Sequence, residues 1–150
     1  MSEVRDGEVR VDLTEAADAA LRFIGVIRTP WSDRKECPRQ GRIDGPECRV
    51  EIFDPWVPAL AGLEAFASIE LFYWLDRSRR DLVVQVPRHS GQPSGTFALR
   101  SPVRPNPIGL SRVKLERIEG NVLVVRGLDC LDGTPLVDIK PDRCDFSAKD

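Results

Sequence analysis

The chain is poor in the residues that build metal and redox centres. It has one histidine, His89, and its four cysteines (Cys37, Cys48, Cys130 and Cys144) form no C-x-x-C pair. A structural zinc site needs closer ligand spacing or more histidines, so no metal is expected and the cysteines read as reduced thiols, some of them core fillers. No apolar run is long enough to cross a bilayer. The first twenty residues are acidic and lack the apolar stretch of a secretory signal, so no membrane association and a cytoplasmic location are expected. Lysine is scarce as well: of 22 basic side chains, 18 are Arg and four are Lys.

What is present suits a globular domain. The 150 residues are 41% hydrophobic, and a chain of this length buries about 70% of its unfolded surface without needing a staple. The formal net charge of -2 argues against a simple nucleic-acid glue. Its distribution is uneven: residues 28–117 carry fifteen basic and eleven acidic side chains, while the segments before and after are acidic. Arginine presents a planar fork that matches phosphate and carboxylate and stacks on bases. The bias is compatible with an RNA-binding face and equally with an ordinary arginine-rich surface.

Along the chain, residues 1–20 read as an N-terminal extension, in which Thr14 to Ala20 is either a short helix capped by Thr14 or disordered. Residues 21–150 read as one domain. Short β-prone runs follow at Phe23–Ile27, Cys48–Phe53, Leu82–Val86 and, short and extended, Thr96–Leu99. Pro55–Ala65 is expected to hold a short helix, with Pro58 near its first turn. Ser68–Leu75 is apolar and aromatic enough to be a strand buried on both faces. The clearest hairpin is Ser111–Ile118, turned at Glu119-Gly120-Asn121 and returning over Val122–Leu128, with a last strand at Leu136–Ile139. Many short strands and little helix predict a mainly β fold: a small closed β-barrel with one or two short helices.

Three blocks carry candidate chemistry. In Arg100-Ser-Pro-Val-Arg-Pro-Asn-Pro-Ile-Gly109, three prolines pin the backbone around Arg100, Arg104 and Asn106, and Gly109 permits a close approach or a positive φ. Such a loop is either a preorganised site or a rigid crossover. In Cys37-Pro38-Arg39-Gln40-Gly41, Arg39 and Gln40 supply donors on a stiffened loop. In Leu128-Asp129-Cys130-Leu131-Asp132-Gly133-Thr134-Pro135, Asp-Gly marks a turn, and its two carboxylates also suit a sulfonium, an amine or a ribose diol.

These blocks stand in a recognisable order with Ile24-Gly-Val-Ile-Arg-Thr-Pro30, Gly62-Leu-Glu-Ala-Phe66 and Asp138-Ile-Lys-Pro141. Together they resemble the TsaA-like family, which includes TrmO-type tRNA methyltransferases, over roughly Phe23 to Pro141. The Arg104-Pro-Asn-Pro-Ile-Gly109 string is the most specific. The resemblance implies a non-Rossmann barrel, S-adenosylmethionine as cofactor, a homodimer, and tRNA as partner, with N-methylation of threonylcarbamoyl-adenosine beside the anticodon. In keeping with this, no G-x-G-x-x-G follows a strand. The chain ends at Asp150, so a short form lacking the C-terminal domain of longer bacterial members is expected. It also departs from the family pattern at Asp76, where His is frequent, and at Asp142, where an aromatic usually follows Lys-Pro.

Carried over by position, the resemblance assigns donor binding to Pro38, Arg39, Gln40, Asp76, Arg77, Arg100, Leu110, Asp129, Cys130, Leu131, Asp132, Gly133 and Thr134. Methyl transfer from a sulfonium is an in-line displacement helped by alignment and by a base near the acceptor nitrogen. Asp132 and Asp138 are candidate bases, and Asn106 is a third candidate catalytic group. Arg34, Arg42, Arg79, Arg80 and Arg104 are candidates for RNA phosphates, with Arg39 and Arg77 also available and Trp31 suited to stacking. Two other classes fit the same residues: a donor-binding enzyme with a small-molecule acceptor, and a non-catalytic RNA- or ligand-binding barrel.

Overall fold

The computed structural model describes residues 3–13 and 18–143, and the chain forms two compact units: residues 1–20 with 75–108, and residues 21–74 with 109–150. The chain does pass from one unit to the other after residue 20, and it does so again around residues 75–108. The N-terminal segment belongs with a mid-chain segment. Of the helix or disorder expected at Thr14 to Ala20, residues 14–17 lie outside the described residues, and 18–20 carry no helix.

The larger unit is a closed antiparallel barrel. Its strands are β2 (Gly25–Arg28), β3 (Cys48–Ile52), β4 (Ser68–Trp74), β7 (Ile108–Glu119), β8 (Val122–Arg126) and β9 (Thr134–Pro141), in the ring order β2-β3-β8-β7-β4-β9. Alternation along each strand puts every second side chain inside. Cys48, Val50 and Ile52 of β3, Ile69, Leu71 and Tyr73 of β4, and Ser111, Val113 and Leu115 of β7 are buried. Each fully buried Val, Leu or Ile contributes about 1.5–3 kcal/mol of transfer free energy. In β8, Leu123, Val124 and Val125 are all buried. Val124 points outward, and Arg49 and Arg117, its cross-strand partners, have aliphatic stems long enough to cover it.

The closed β-barrel is as expected, and three details differ. Ser68–Trp74 is buried on one face only: Ile69, Leu71 and Tyr73 point in, while Glu70, Phe72 and Trp74 are half-buried on the outer face. A strand of a closed antiparallel barrel has a single interior face, and aromatic content alone does not add a second. Between Pro55 and Ala65 the expected short helix takes the form of two 3₁₀ helices, Val57–Leu60, with Pro58 in its first turn, and Leu63–Ala65, separated at Ala61-Gly62. The hairpin strand β7 begins earlier than alternation indicated, at Ile108.

The smaller unit is a three-stranded antiparallel sheet of β1 (Val9–Arg10), β5 (Leu82–Gln85) and β6 (Ser94–Gly95), in the order β1-β5-β6. Thr96–Ala98 is a 3₁₀ turn, not an extended run. The Thr96 hydroxyl donates to the Leu82 carbonyl at 2.8 Å, and the Leu99 amide donates back to the Thr96 carbonyl at 3.1 Å, so the chain curls over β5. Buried Gln85 ties the pieces together: its side-chain amide donates to Thr96 Oγ1 at 2.8 Å and to the Val103 carbonyl at 2.7 Å. The proline-rich segment after Arg100 is therefore fastened to the sheet from behind.

Arg79 and Asp81 form a bidentate pair within this unit, with Nε–Oδ1 2.7 Å and Nη2–Oδ2 3.0 Å. The hydrogen-bonded Arg79 guanidinium holds the Asp81 carboxyl below its usual range. A carboxyl depressed in the folded state stabilises the fold above its unfolded pKa, and that stability is lost as pH falls through the folded value. The melting temperature is expected to fall as pH drops below about 4, and Asp81→Asn is expected to remove part of this slope. Thermal melts of both proteins across pH 2–6 check it; parallel curves would show that the pair contributes none of the acid sensitivity.

Candidate functional site

Antiparallel order brings several connections to one end of the barrel. β2 exits there and β3 enters, and β8 exits toward β9. The connections 29–47 and 127–133 consequently meet, although about a hundred positions separate them. Thr29 is the joint. Its hydroxyl donates to the Cys130 carbonyl at 2.8 Å, and its amide donates to Asp132 Oδ1 at 3.1 Å. The Asp132 amide donates to the Trp31 carbonyl at 2.8 Å, the Gly133 amide to the Ile27 carbonyl at 2.8 Å, and Thr134 Oγ1 closes the turn onto the Leu131 carbonyl at 2.6 Å. Arg28 Nη1 stands 3.9 Å from Asp132 Oδ2.

The 38–41 loop presses on the same segment. A Cβ at Gly41 would lie 1.8 Å from the Gly127 carbonyl oxygen and 3.1 Å from the Leu128 carbonyl carbon. Only a residue without a side chain fits there. The loop carrying Pro38, Arg39 and Gln40 is thereby held beside the Asp129–Thr134 turn. The two positions share an electrostatic environment: burial pushes the Cys37 thiol up, and the Asp129 carboxylate adds to the rise.

Inside the barrel, next to this turn, lies a polar cluster that sequence reasoning missed. The Tyr73 hydroxyl is 2.7 Å from Ser111 Oγ and donates to Asp129 Oδ1 at 3.1 Å. Tyr73 and Ser111 are 4% and 9% exposed, so each needs a partner, and each has one. Burial, then the nearby Asp129 charge, drives the Tyr73 phenol far above its usual range, which keeps it a hydrogen-bond donor. Burial also pushes the neighbouring Cys130 thiol up to about 12 and the Cys48 thiol up to about 11. Both are protonated packing groups at neutral pH. A usable signal was present: Tyr73 shares parity with Ile69 and Leu71, and Ser111 with Val113 and Leu115, two polar groups in otherwise apolar inward registers.

The backbone of Gly109 lies flat on the Tyr73 ring. A Cβ there would be 2.1 Å from Tyr73 Cε2. The glycine that ends the Arg104–Gly109 string is explained by close approach, not by a positive φ.

Of the residues assigned from sequence, Pro38, Arg39, Gln40 and Asp129, Cys130, Leu131, Asp132, Gly133 and Thr134 are brought together on the barrel. Leu110, 43% exposed, follows Gly109 on β7. Asp76, Arg77 and Arg100 belong to the smaller unit and are exposed. Two of the three candidate catalytic groups, Asp132 and Asp138, stand apart on the barrel. Asp132 caps the Thr29 amide. Asp138 lies four residues along β9 from Thr134, roughly 13 Å up the strand, on the outer face beside Phe72, where Oδ2 is 3.5 Å from Lys140 Nζ. Asn106 is on the smaller unit, its side-chain oxygen accepting from Arg80 Nη2 at 3.4 Å.

Among the candidate RNA contacts, two are spent on the protein itself. The Arg79 side chain is 6% exposed and bound to Asp81. Arg104 Nη1 donates to the Leu99 and Ser101 carbonyls, both at 2.8 Å, and so braces its own loop. Arg80 Nε donates to the Pro105 carbonyl at 2.6 Å while the side chain stays exposed. Arg42 is exposed and paired with Asp44, and Arg34 is exposed. Trp31 is half-buried against Thr29.

A closed barrel carrying this turn and loop defines a class, and comparison with known proteins agrees. Residues 26–146 match the family model of the tRNA-methyltransferase O N-terminal domain, and the chain belongs to that family. It is 57% identical over 142 residues to the probable S-adenosyl-L-methionine-binding protein VirR of Rhizobium radiobacter, covering 95% of this chain and 81% of that one. It is 34% identical over 142 residues to the tRNA (adenine(37)-N6)-methyltransferase of Mus musculus, covering 89% of this chain and 33% of that protein. The crystal structure of TrmO from Pseudomonas aeruginosa superposes with a TM-score of 0.70 at 33% identity, covering 87% of this chain and 58% of that one. The chain thus spans a third of the mouse enzyme and little more than half of the crystallised one. Among the described residues, no helix is long and apolar enough to cross a membrane and no His, Cys, Asp and Glu cluster suits a metal.

Replacing Gly109 with Ala is expected to displace the Tyr73 ring and to cost about 1–3 kcal/mol, the range for overpacking a filled interior. Urea denaturation of the two proteins reads this directly; a loss below about 0.5 kcal/mol would mean that the strand moves aside freely.

Proposed function

We propose that this protein binds S-adenosylmethionine at the barrel end formed by Pro38-Arg39-Gln40, Leu110 and the Asp129–Thr134 turn, and transfers its methyl group to an adenine of tRNA. The observation that carries this reading is the fastening of the 38–41 loop and the 129–134 turn onto one another and onto Thr29. These are two of the segments whose sequence resembles the donor-binding parts of the family, and preorganisation of this kind is what a binding site requires. Arg100, Asp76 and Arg77 of the smaller unit are further donor-binding candidates by resemblance alone.

The acceptor in this reading is the exocyclic nitrogen of threonylcarbamoyl-adenosine beside the anticodon. When bound, the donor supplies a sulfonium-activated methyl group. The protein's part is to orient it, and the exposed Arg39, Arg77 and Arg100 suit carboxylate or phosphate. The working form is a homodimer, supported by the outward Phe72 and Trp74 on β4, which a lone barrel does not bury fully. Light scattering at micromolar concentration should report twice the chain mass; a monomer would refute it. One observation favours a second reading with a different, small acceptor: relatives far closer than the mouse enzyme are named for donor binding alone.

Calorimetry is expected to show binding of S-adenosylmethionine, weakened in Arg100→Ala by roughly 1.5–3 kcal/mol, as for the loss of one charge-assisted contact. Labelled donor should then methylate tRNA modified in vivo and not the unmodified transcript, with activity falling steeply as salt rises. No donor binding would sink the reading. Donor binding without labelling of either tRNA, or turnover indifferent to salt, would select the small acceptor.

A further inference from the structure

We propose that Tyr73 and Ser111 form a buried positioning relay that holds the Asp129 carboxylate in place for the methyl donor, an inference that rests on the donor reading above. The relay has a direction. A phenol has one hydrogen, and Tyr73 gives it to Asp129 Oδ1 at 3.1 Å. The 2.7 Å contact between Tyr73 and Ser111 must therefore be donated by the Ser111 hydroxyl. Ser111 polarises Tyr73, and Tyr73 in turn holds the carboxylate; in a buried chain of this kind each bond strengthens the next.

Three features make the relay rigid. Tyr73 and Ser111 stand on β4 and β7, adjacent strands of the closed ring, and both point inward. Gly109 lies against the Tyr73 ring, two residues before Ser111, and packs that side of the ring. Asp129 leads directly into the turn that Thr29 fixes through Cys130 and Asp132. The high phenol pKa keeps the donor proton on Tyr73 throughout the physiological range. The relay thus spans from the interior, where water cannot compete, to the half-exposed Asp129 at the barrel end. A carboxylate held this way presents fixed negative charge toward a ligand that carries a sulfonium, an ammonium and a ribose diol. Tyr73 and Ser111 touch no ligand in this scheme and act through Asp129.

The test is a double-mutant cycle read in donor affinity. Tyr73→Phe keeps the ring and removes only the hydroxyl. It is expected to raise the Kd for S-adenosylmethionine about tenfold, equivalent to about 1.4 kcal/mol, and Asp129→Asn is expected to raise it at least as much. The Tyr73→Phe/Asp129→Asn double variant should bind no worse than Asp129→Asn alone, because the hydroxyl acts only through the carboxylate. Ser111→Ala should give a smaller rise in the same direction and serves as the second variant should Tyr73→Phe fold poorly. Hydroxyls that merely stabilise the barrel would lower the melting temperature and leave Kd unchanged well below it. Wild-type binding with unchanged Kd in both hydroxyl variants, or losses that add in the double variant, overturns the relay while leaving the donor reading intact. Absence of binding by the wild-type protein overturns both.

Discussion

Closing six strands into a ring is the constraint on which the rest of this molecule depends. A closed sheet has no edge, so each strand's register is fixed by two neighbours at once, and a one-residue slip would turn every interior side chain outward. The interior then has to be filled by alternate residues of all six strands. Mid-barrel positions meet this demand with Val, Leu and Ile. At the end that receives the 29–47 and 127–133 connections, Tyr73 and Ser111 replace aliphatic groups. They are tolerated because they bond to one another and to Asp129, which avoids the cost of about 1–3 kcal/mol for an unsatisfied buried polar group.

The same closure turns distant sequence into local structure. Thr29 leaves β2 beside the turn entering β9 because these strands are ring neighbours. Its hydroxyl and amide then satisfy a carbonyl and a carboxylate of that turn. The loop at Gly41 packs on Gly127 so closely that any side chain at position 41 would collide with the Gly127 carbonyl. A candidate site held by backbone contacts and short hydrogen bonds loses little entropy when a ligand arrives, which is where much of the advantage of preorganisation lies.

Arginine is divided between two tasks. Arg79 and Arg104 are struts: one grips Asp81, and the other gathers the Leu99 and Ser101 carbonyls of a loop whose prolines leave fewer amide donors to do so. Arg39, Arg77 and Arg100 are exposed. In the smaller unit this allows a stretch without long strands to keep one shape, since its prolines and Arg104 restrict it from within while Gln85 binds it from outside.

Much of the barrel is legible in the amino-acid sequence alone. Alternation in Cys48–Phe53 and Ser111–Ile118, and the Glu119-Gly120-Asn121 turn, determined the strands of a small barrel, because a period of two is a local property. The ordered motifs determined the family, because a string as constrained as Arg104–Gly109 seldom recurs by chance. Local pattern also explains the misreadings: aromatic density in Ser68–Leu75 resembles burial on both faces, and Thr96–Leu99 has the composition of an extended run although Thr96 bonds to the Leu82 carbonyl and curls. Only the tertiary structure decided that residues 9–10 join a sheet with 82–85, that Asp132 and Asp138 stand apart, that the Arg79 side chain packs down onto Asp81, and that Tyr73, Ser111 and Asp129 meet. Those facts depend on which segments become neighbours when the ring closes, and the energy of a hydrogen bond or a backbone contact between residues dozens of positions apart has no signature in the local sequence of either partner.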